Sequence, residues 1–166
     1  MKMKRRGIVI TPTDLNGIAL QWIDRMAEGS LNVLGISGGV DECAQFISSD
    51  EGVACLDAAK AAGIEIEYEM HALWWLLPRD MFADHPDWFR MDEDGERTAD
   101  ANMCPSSSDA LQYAGGRAVE LSRMLTSTTD RYYYWADDAK PWCACEACGD
   151  YTASDQNLLV TNALAE

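Results

Sequence analysis

The sequence is poor in basic residues and contains no long hydrophobic run. Its 166 residues include 13 lysines and arginines against 28 aspartates and glutamates, which gives a formal net charge of −15 at pH 7. A chain this acidic repels the phosphates of nucleic acids and the surface of anionic membranes, so neither is expected as a partner. A neutral or cationic ligand fits this charge better.

The N-terminus lacks the apolar core of a signal peptide, and no apolar run approaches the length of a membrane span. Residues 1–6 (MKMKRR) are basic, but the eleven residues after them (GIVITPTDLNG) are interrupted by polar side chains. No membrane span is therefore predicted. Two interpretations of the location remain open: a cytosolic protein, or a chain whose true start is missing.

Strands and helices are predicted to alternate along the chain, which is long enough for one domain with a sizeable core. Hydrophobic residues make up 48% of it, as in globular proteins. A capping box at Ser48 and Glu51 predicts the start of a helix that ends before Gly63. Repeated strand–helix units indicate an α/β fold with a parallel sheet. The predicted strands are Gly7–Ile10, Asn32–Ile36, Ile64–His71 and Tyr132–Trp135.

The third strand carries acidic residues on one face only. Ile64, Ile66, Tyr68 and Met70 alternate with Glu65, Glu67, Glu69 and His71. In an antiparallel surface sheet this would be the ordinary apolar-in, polar-out pattern. In a closed parallel barrel the apolar face would instead meet the helices, and Glu67, Glu69 and His71 would point inward near the mouth.

The fourth strand is aromatic and ends at two acids, Asp137 and Asp138. This arrangement is typical of the floor of a polar cleft, although a buried strand that continues into a solvated acidic turn explains it equally well. The connection from Ala72 to Ser108 is long for a compact domain, which favours a functional segment. Its aromatic residues indicate an ordered wall, and flat rings stack on sugar faces. They are Trp74, Trp75, Phe82, Trp88 and Phe89.

Six cysteines are many for a cytosolic chain, and three of them, Cys143, Cys145 and Cys148, fall within one short loop. Such clustering favours a metal site or a local clip over a dispersed disulfide framework. With Cys104 as fourth ligand, the cluster would form a closed, structural zinc site. Disulfides between Cys104 and the cluster remain the alternative. Cys43 and Cys55 are expected to be unpaired and packed.

Several of these motifs together resemble an exported bacterial family that has long been listed as a domain of unknown function. That family is similar to TIM-barrel glycoside hydrolases, related to endo-β-N-acetylglucosaminidases and more distantly to α-glucuronidases and hexosaminidases. Ser37 departs from the pattern, because a histidine is expected there. The matching residues are His71, Leu76-Leu77-Pro78, Phe82, His85-Pro86, Phe89, Gly95, Cys104, Asp138, the Cys143/Cys145/Cys148 cluster and Asn162.

The resemblance implies a (β/α)8 barrel, of which this chain would supply about four βα units in a single partial domain, residues 1–166. Such barrels need about 250 residues, so the C-terminal half is expected to be missing and the isolated chain to be inactive. The active site would lie at the C-terminal ends of the strands. The expected partners are a glycan and the missing half of the barrel.

The implied activity is hydrolysis of a complex, N-acetylated glycan, for which the barrel itself requires no cofactor. Glycoside hydrolysis uses two carboxyl groups, and at least one is expected in the missing half. The alternatives are a non-catalytic carbohydrate-binding module and a zinc-loop structural module. The candidate catalytic residues are Asp138, Asp137 and Glu69, and the candidate substrate-binding residues are His71, Trp74, Trp75, Trp135 and Glu42.

Overall fold

The computed structural model describes residues 4–166, so Met1–Met3 lie outside the described residues. This part of the chain forms a four-stranded sheet and seven α-helices. The strands are β1 (Gly7–Ile10), β2 (Val33–Ser37), β3 (Glu65–His71) and β4 (Tyr132–Trp135). The helices are α1 (Pro12–Leu15), α2 (Ala19–Glu28), α3 (Val40–Ser48), α4 (Asp50–Ala61), α5 (Leu73–Leu76), α6 (Ser108–Met124) and α7 (Ala153–Ala165).

The sheet is parallel and its strands follow one another in chain order, β1-β2-β3-β4. Gly7 pairs with Val33 at the start of β1, and Val33 in turn pairs with Glu65 of β3. Parallel neighbours need a crossover between them, and helices supply each of these crossovers. The predicted α/β class with a parallel sheet is therefore confirmed.

The apolar face of β3 is buried, as the alternation of its residues predicts. Ile64, Ile66, Tyr68 and Met70 are each no more than 3% exposed. Cys43 and Cys55 are also fully buried, and both are free thiols, as expected. Burial raises the pKa of each of these two thiols to about 11, so both stay neutral at physiological pH.

The chain divides into two compact units, and β3, α6 and β4 each run from one unit into the other. The first unit comprises the residues up to Met70 together with Ser122–Tyr133, and it contains most of the sheet with α1–α4. The second unit comprises His71–Leu121 and Tyr134–Glu166, with α5, most of α6, and α7.

The predicted capping box at Ser48 and Glu51 is wrong. Ser48 is the last residue of α3, a helix that the sequence pattern did not predict, and Ser49 caps α4 by accepting a hydrogen bond from Gly52 N at 3.0 Å. Glu51 instead accepts hydrogen bonds from Gly17 N (2.9 Å) and Ala19 N (3.2 Å) at the start of α2. Its carboxylate therefore satisfies backbone donors of a different helix.

The long connection in the second unit is ordered around its aromatic residues. The rings of His85 and Trp88 stack with their centroids 4.0 Å apart, and Trp88 also contacts the ring of Tyr113 in α6 at 5.2 Å. Phe89 is fully buried. These contacts bury an apolar surface that fixes the connection. None of the helices between residues 4 and 166 has both the length and the apolar character needed to cross a membrane.

The junction of α3 and α4 leaves no room for a side chain at Gly52. A Cβ atom there would lie 1.9 Å from the backbone oxygen of Phe46. We therefore expect Gly52→Ala to lower the free energy of unfolding by about 3 kcal/mol, because backbone atoms would have to move apart. Urea unfolding followed by circular dichroism measures this change.

Gly116→Ala in α6 is the matched control, because nothing lies within 4 Å of a Cβ atom at that position. Alanine favours helix over glycine by about 1 kcal/mol, so this variant should be as stable as the parent or more stable. Equal midpoints for Gly52→Ala and the parent would contradict the close approach of α3 and α4.

Candidate functional site

The segment that follows β4 is held by a reciprocal pair of hydrogen bonds between Asn102 and Asp137. Asn102 N donates to Asp137 Oδ2 at 2.6 Å, and Asp137 N donates to Asn102 Oδ1 at 3.0 Å. The Asn102 amide also donates to Pro141 O at 2.9 Å. Asn102 is fully buried and has a φ of +42°, a region that asparagine tolerates better than most residues. The geometry of the turn is therefore fixed from the long connection.

Arg79 extends this network beneath Asp137. Its Nη1 atom donates to Asn102 O at 2.7 Å, and its Nη2 atom lies 3.9 Å from Asp137 Oδ2. The guanidinium group lies against the rings of Trp74 and Phe89, 4.6 and 5.4 Å from their centroids. Burial lowers the pKa of Arg79, while the negative charge of Asp137 opposes that shift. Asp137 thus carries a buried charge that a nearby cation compensates.

A cavity of about 600 Å³ opens beside this network, entirely within the second unit. Its lining comes from the ends of β3 and β4, from the segment after β4 and from the start of α7. Asp137 Oδ1 is buried and finds no hydrogen-bond partner among residues 4–166. Asp138, by contrast, is exposed. The lining residues are His71, Trp135, residues 136–140, Trp142, Ala153, Ser154 and Asn157.

The hydrogen bonding of His71 determines which of its ring atoms can face a ligand. Its Nδ1 atom hydrogen-bonds to the backbone oxygen of Ala136. Because a carbonyl oxygen can only accept, Nδ1 carries the proton, and Nε2 of the neutral ring is an acceptor. The ring packs edge-on against Trp135 with the centroids 5.4 Å apart. In its neutral form, His71 therefore presents an acceptor at Nε2 beside the ring of Trp135.

The four cysteines of the candidate zinc site lie together in a buried cluster. They are Cys104, Cys143, Cys145 and Cys148. All four Sγ atoms lie within 4.8 Å of one another, and all four are free thiols. Cys104 Sγ is 3.8 Å from Cys145 Sγ and 3.9 Å from Cys148 Sγ. A tetrahedral zinc ion with Zn–S bonds of about 2.3 Å requires sulfur–sulfur distances of about 3.8 Å. The cluster could therefore hold a metal ion.

Hydrogen-bond donors surround the sulfur atoms. Met91 N donates to Cys143 Sγ at 3.3 Å, Arg97 Nη1 lies 3.7 Å from the same atom, and Ser106 Oγ is 3.0 Å from Cys148 Sγ. Such donors orient metal-bound thiolates, and the charge of Arg97 offsets part of their negative charge. A hydrogen bond with Cys104 and burial together raise the pKa of Cys143 to about 12, so metal binding would release its proton.

Gln156 joins the cysteine loop to α7. Its side chain accepts from Cys143 N at 3.1 Å and donates to Cys143 O at 3.0 Å, so one amide satisfies both backbone groups. The helix itself begins with a capping box between Thr152 and Asp155. The helix that lines one side of the cavity is thus hydrogen-bonded to Cys143, a member of the cysteine cluster.

Glu69, a candidate catalytic residue, belongs to the first unit. It lines a second cavity of about 300 Å³ together with Glu67, Arg5 and Arg131. Glu67 is buried and pairs with Arg5 at 2.7 Å and Arg131 at 3.7 Å. Burial, reinforced by the charge of Glu67, raises the pKa of Glu69. Its side chain lies across β2, where a Cβ atom on Gly35 would come within 2.6 Å of Glu69 Oε1.

The remaining candidate substrate-binding residues have other contacts. Glu42, in the first unit, accepts a hydrogen bond from Thr13 Oγ1 at 2.8 Å. Trp75 packs under the guanidinium group of Arg117 at 3.7 Å from the ring centroid. Trp74 is 52% exposed, and neither tryptophan belongs to the lining of the 600 Å³ cavity as residues 4–166 define it.

The sequence patterns did not predict a role in the site for Asn102, Trp142 or Asn157. Trp142 directly precedes Cys143, and Asn102 stands two residues before Cys104. Their closeness to the clustered cysteines was the available signal. Asn157 had none, because its position depends on how α7 packs.

Replacing Asn102 tests the reciprocal pair. We expect Asn102→Ala to lower the free energy of unfolding by about 2–4 kcal/mol, because it leaves the buried Asp137 N–H without an acceptor and removes the donor to the Pro141 carbonyl. The same substitution at Asn162, which is exposed in α7, should change stability by less than about 0.5 kcal/mol. Urea unfolding compares the two variants, and similar losses in both would show that the pair contributes little.

A search of protein-family models finds no match to this chain, and a search of curated protein sequences finds none either.

Proposed function

We propose that the 600 Å³ cavity binds a carbohydrate and is the substrate site of a glycoside hydrolase acting on N-acetylated glycans. The observation that carries this proposal is Asp137, a buried residue of the cavity lining whose Oδ1 atom has no hydrogen-bond partner among residues 4–166. A buried acceptor left unpaired costs free energy, so a ligand donor that reaches it gains affinity. The exposed Trp135 ring and the partly buried Trp142 ring on the same lining offer flat faces on which a sugar ring stacks.

The polar groups of the cavity select for a ligand with several neutral donors. Asp137 Oδ1, the carboxylate of Asp138 and Nε2 of His71 all accept hydrogen bonds. Because Arg79 already compensates the charge of Asp137, a hydroxyl or amide N–H fits Oδ1 better than a cationic amine does. Sugars with a 2-acetamido group carry both kinds of neutral donor.

The proposed chemistry assigns different roles to the two aspartates. In hydrolysis assisted by a 2-acetamido group, one carboxylate orients that group by accepting its N–H, and the acetamido oxygen attacks the anomeric carbon as the glycosidic C–O bond breaks. Water then attacks the anomeric carbon of the resulting oxazoline and restores the acetamido group. Asp137 Oδ1 suits the orienting role, and Asp138 is the candidate for polarising the substrate. A separate acid must protonate the leaving oxygen. The expected missing half of the barrel would supply that acid.

The parallel sheet in chain order supports a partial (β/α)8 barrel, because four sequential βα units are half of that fold. The resemblance to the bacterial family similar to TIM-barrel glycoside hydrolases supports the same architecture. Four further βα units would complete the barrel, and the isolated chain would bind its glycan without turning it over.

The four-cysteine cluster is proposed to hold a structural zinc ion. Four sulfur ligands fill a tetrahedral site and leave no open position for substrate, so such an ion would brace the loop and take no part in hydrolysis. No step of the proposed hydrolysis uses a metal.

A non-catalytic carbohydrate-binding module is the second candidate. One observation favours it: Asp137 Oδ2 is already engaged by Asn102, so half of this carboxylate serves the fold. In the protein completed by the missing half, Asp138→Asn separates the two candidates, because an enzyme loses rate while keeping affinity, whereas a binding module has no rate to lose.

Glycan binding is tested by titrating N,N′-diacetylchitobiose into the chain and measuring heat or NMR shifts. We expect Asp137→Asn to weaken binding by roughly tenfold to a hundredfold, since an amide replaces a charged acceptor worth about 1.5–3 kcal/mol. Asp150→Asn, at an exposed position that the cavity lining does not include, should bind as the parent does.

If Asp137→Asn loses structure by circular dichroism, Trp135→Ala provides the second test, because it removes a stacking face and leaves the Asn102 network intact. No saturable binding by the parent at millimolar sugar, or unchanged affinity in both variants, would refute the carbohydrate proposal.

Zinc content is tested by elemental analysis of the reduced protein after dialysis. We expect about one zinc ion per chain, and loss of most of it in Cys145→Ser, because three thiolates bind zinc far more weakly than four. Cys55→Ala, which replaces a buried thiol of the first unit, should keep its zinc. A protein without zinc whose four clustered thiols are oxidised would favour the disulfide alternative.

A further inference from the structure

The wall of the 600 Å³ cavity between Asp137 and Trp142 has no helix or strand to hold it. Residues 136–145 contain no regular secondary structure, yet residues 136–140 and Trp142 line the cavity. This wall segment, residues 137–142, depends on the contacts made by its neighbours. It ends immediately before Cys143, a member of the cysteine cluster.

The wall segment also contains a strained backbone. Ala139 has a φ of +52°, a conformation that alanine adopts rarely and at a cost of about 1 kcal/mol or more. Its side chain has no polar group that could offset this cost. Such a conformation persists only where the surrounding structure enforces it, which here means the two ends of the segment.

Two groups of contacts hold those ends. Asn102 fixes Asp137 and Pro141 through its hydrogen bonds, and Gln156 fixes Cys143. Asn102 itself stands two residues before Cys104. One end of the wall segment is therefore held by a residue close in sequence to Cys104, and the other end is held at Cys143 itself.

The cluster has too little apolar surface to hold these points by packing alone. Its buried members are the four cysteines, and Met91 is the partly buried hydrophobic residue packed against them. Four thiols contribute small buried areas, and without an ion their sulfur atoms are polar groups in close contact. In loops of this kind, a structural zinc ion contributes the folding free energy that a hydrophobic core contributes in other proteins.

We propose that metal binding by Cys104, Cys143, Cys145 and Cys148 forms the wall of the cavity, so that the ligand-binding shape exists in the metal-loaded protein and is lost without the metal. The inference rests on the zinc site of the proposed function and does not require that the ligand be a carbohydrate. The ion would act as a positioning element for Trp142 and for the turn from Asp138 to Lys140.

Hydrogen exchange of the whole chain tests the inference with no ligand present. One sample carries zinc, and the other is stripped with a chelator and kept reduced. We expect the amides of residues 138–145, apart from Pro141, to exchange at least about tenfold faster after zinc removal, because the segment opens locally. The amides of β2, in the first unit, should change little. Restored zinc, but not magnesium, should return the protection.

Trp142 provides a second readout through acrylamide quenching of its fluorescence. The difference in quenching between the parent and Trp142→Phe reports this ring, which is partly buried in the folded protein. It should become more accessible after zinc removal. Unchanged exchange and quenching in protein shown to have lost its zinc would overturn the inference, as would a chain that never binds zinc.

Titration of N,N′-diacetylchitobiose into both samples separates this inference from the glycan proposal. Binding by the zinc form alone supports both. If neither form binds the sugar while exchange still depends on zinc, the inference holds and the carbohydrate proposal fails. Equal binding by both forms would overturn the inference.

Discussion

The reciprocal hydrogen bonds between Asn102 and Asp137 are the constraint on which the second unit depends. They join two segments that lie 35 residues apart, and both residues are buried. A single asparagine there uses its backbone N–H, its side-chain oxygen and its amide, while its carbonyl accepts from Arg79. Few residues could replace it, because the position requires a left-handed backbone and a short side chain that both donates and accepts.

The same network explains why one aspartate is buried and its neighbour is not. Asp137 is held in the interior by a backbone amide and by the charge of Arg79, whereas Asp138 remains exposed. The Asn102 N–H and Arg79 lower the free-energy cost of burying this charge. Part of the cost remains, because Asp137 Oδ1 stays unpaired. Adjacent residues of the same type thus differ in burial and hydrogen bonding because of their surroundings alone.

The sequence was most informative where local patterns decide structure. The strand alternation from Ile64 to Met70 predicted the buried face correctly, and the spacing of Cys143, Cys145 and Cys148 predicted a cluster, which Cys104 joins as the candidate fourth member. It failed where distant partners decide. Glu51 looked like a local cap for its own helix, but its carboxylate binds the start of α2. The one signal for Asn102 was its closeness to Cys104, because its hydrogen bonds are visible only when the segment after β4 has folded onto it. Whether Glu69 and the aspartates share one rim stays a prediction.

The bond between Glu51 and the first turn of α2 also bears on how the first unit folds. The donor at Ala19 and the acceptor at Glu51 are 32 residues apart, so α2 lacks a side chain to complete its N-terminal turn until α4 has docked. We therefore do not expect α2 to fold on its own. Formation of α2 and association of α4 are expected to be cooperative, with frayed α2 ends in any state where α4 is loose.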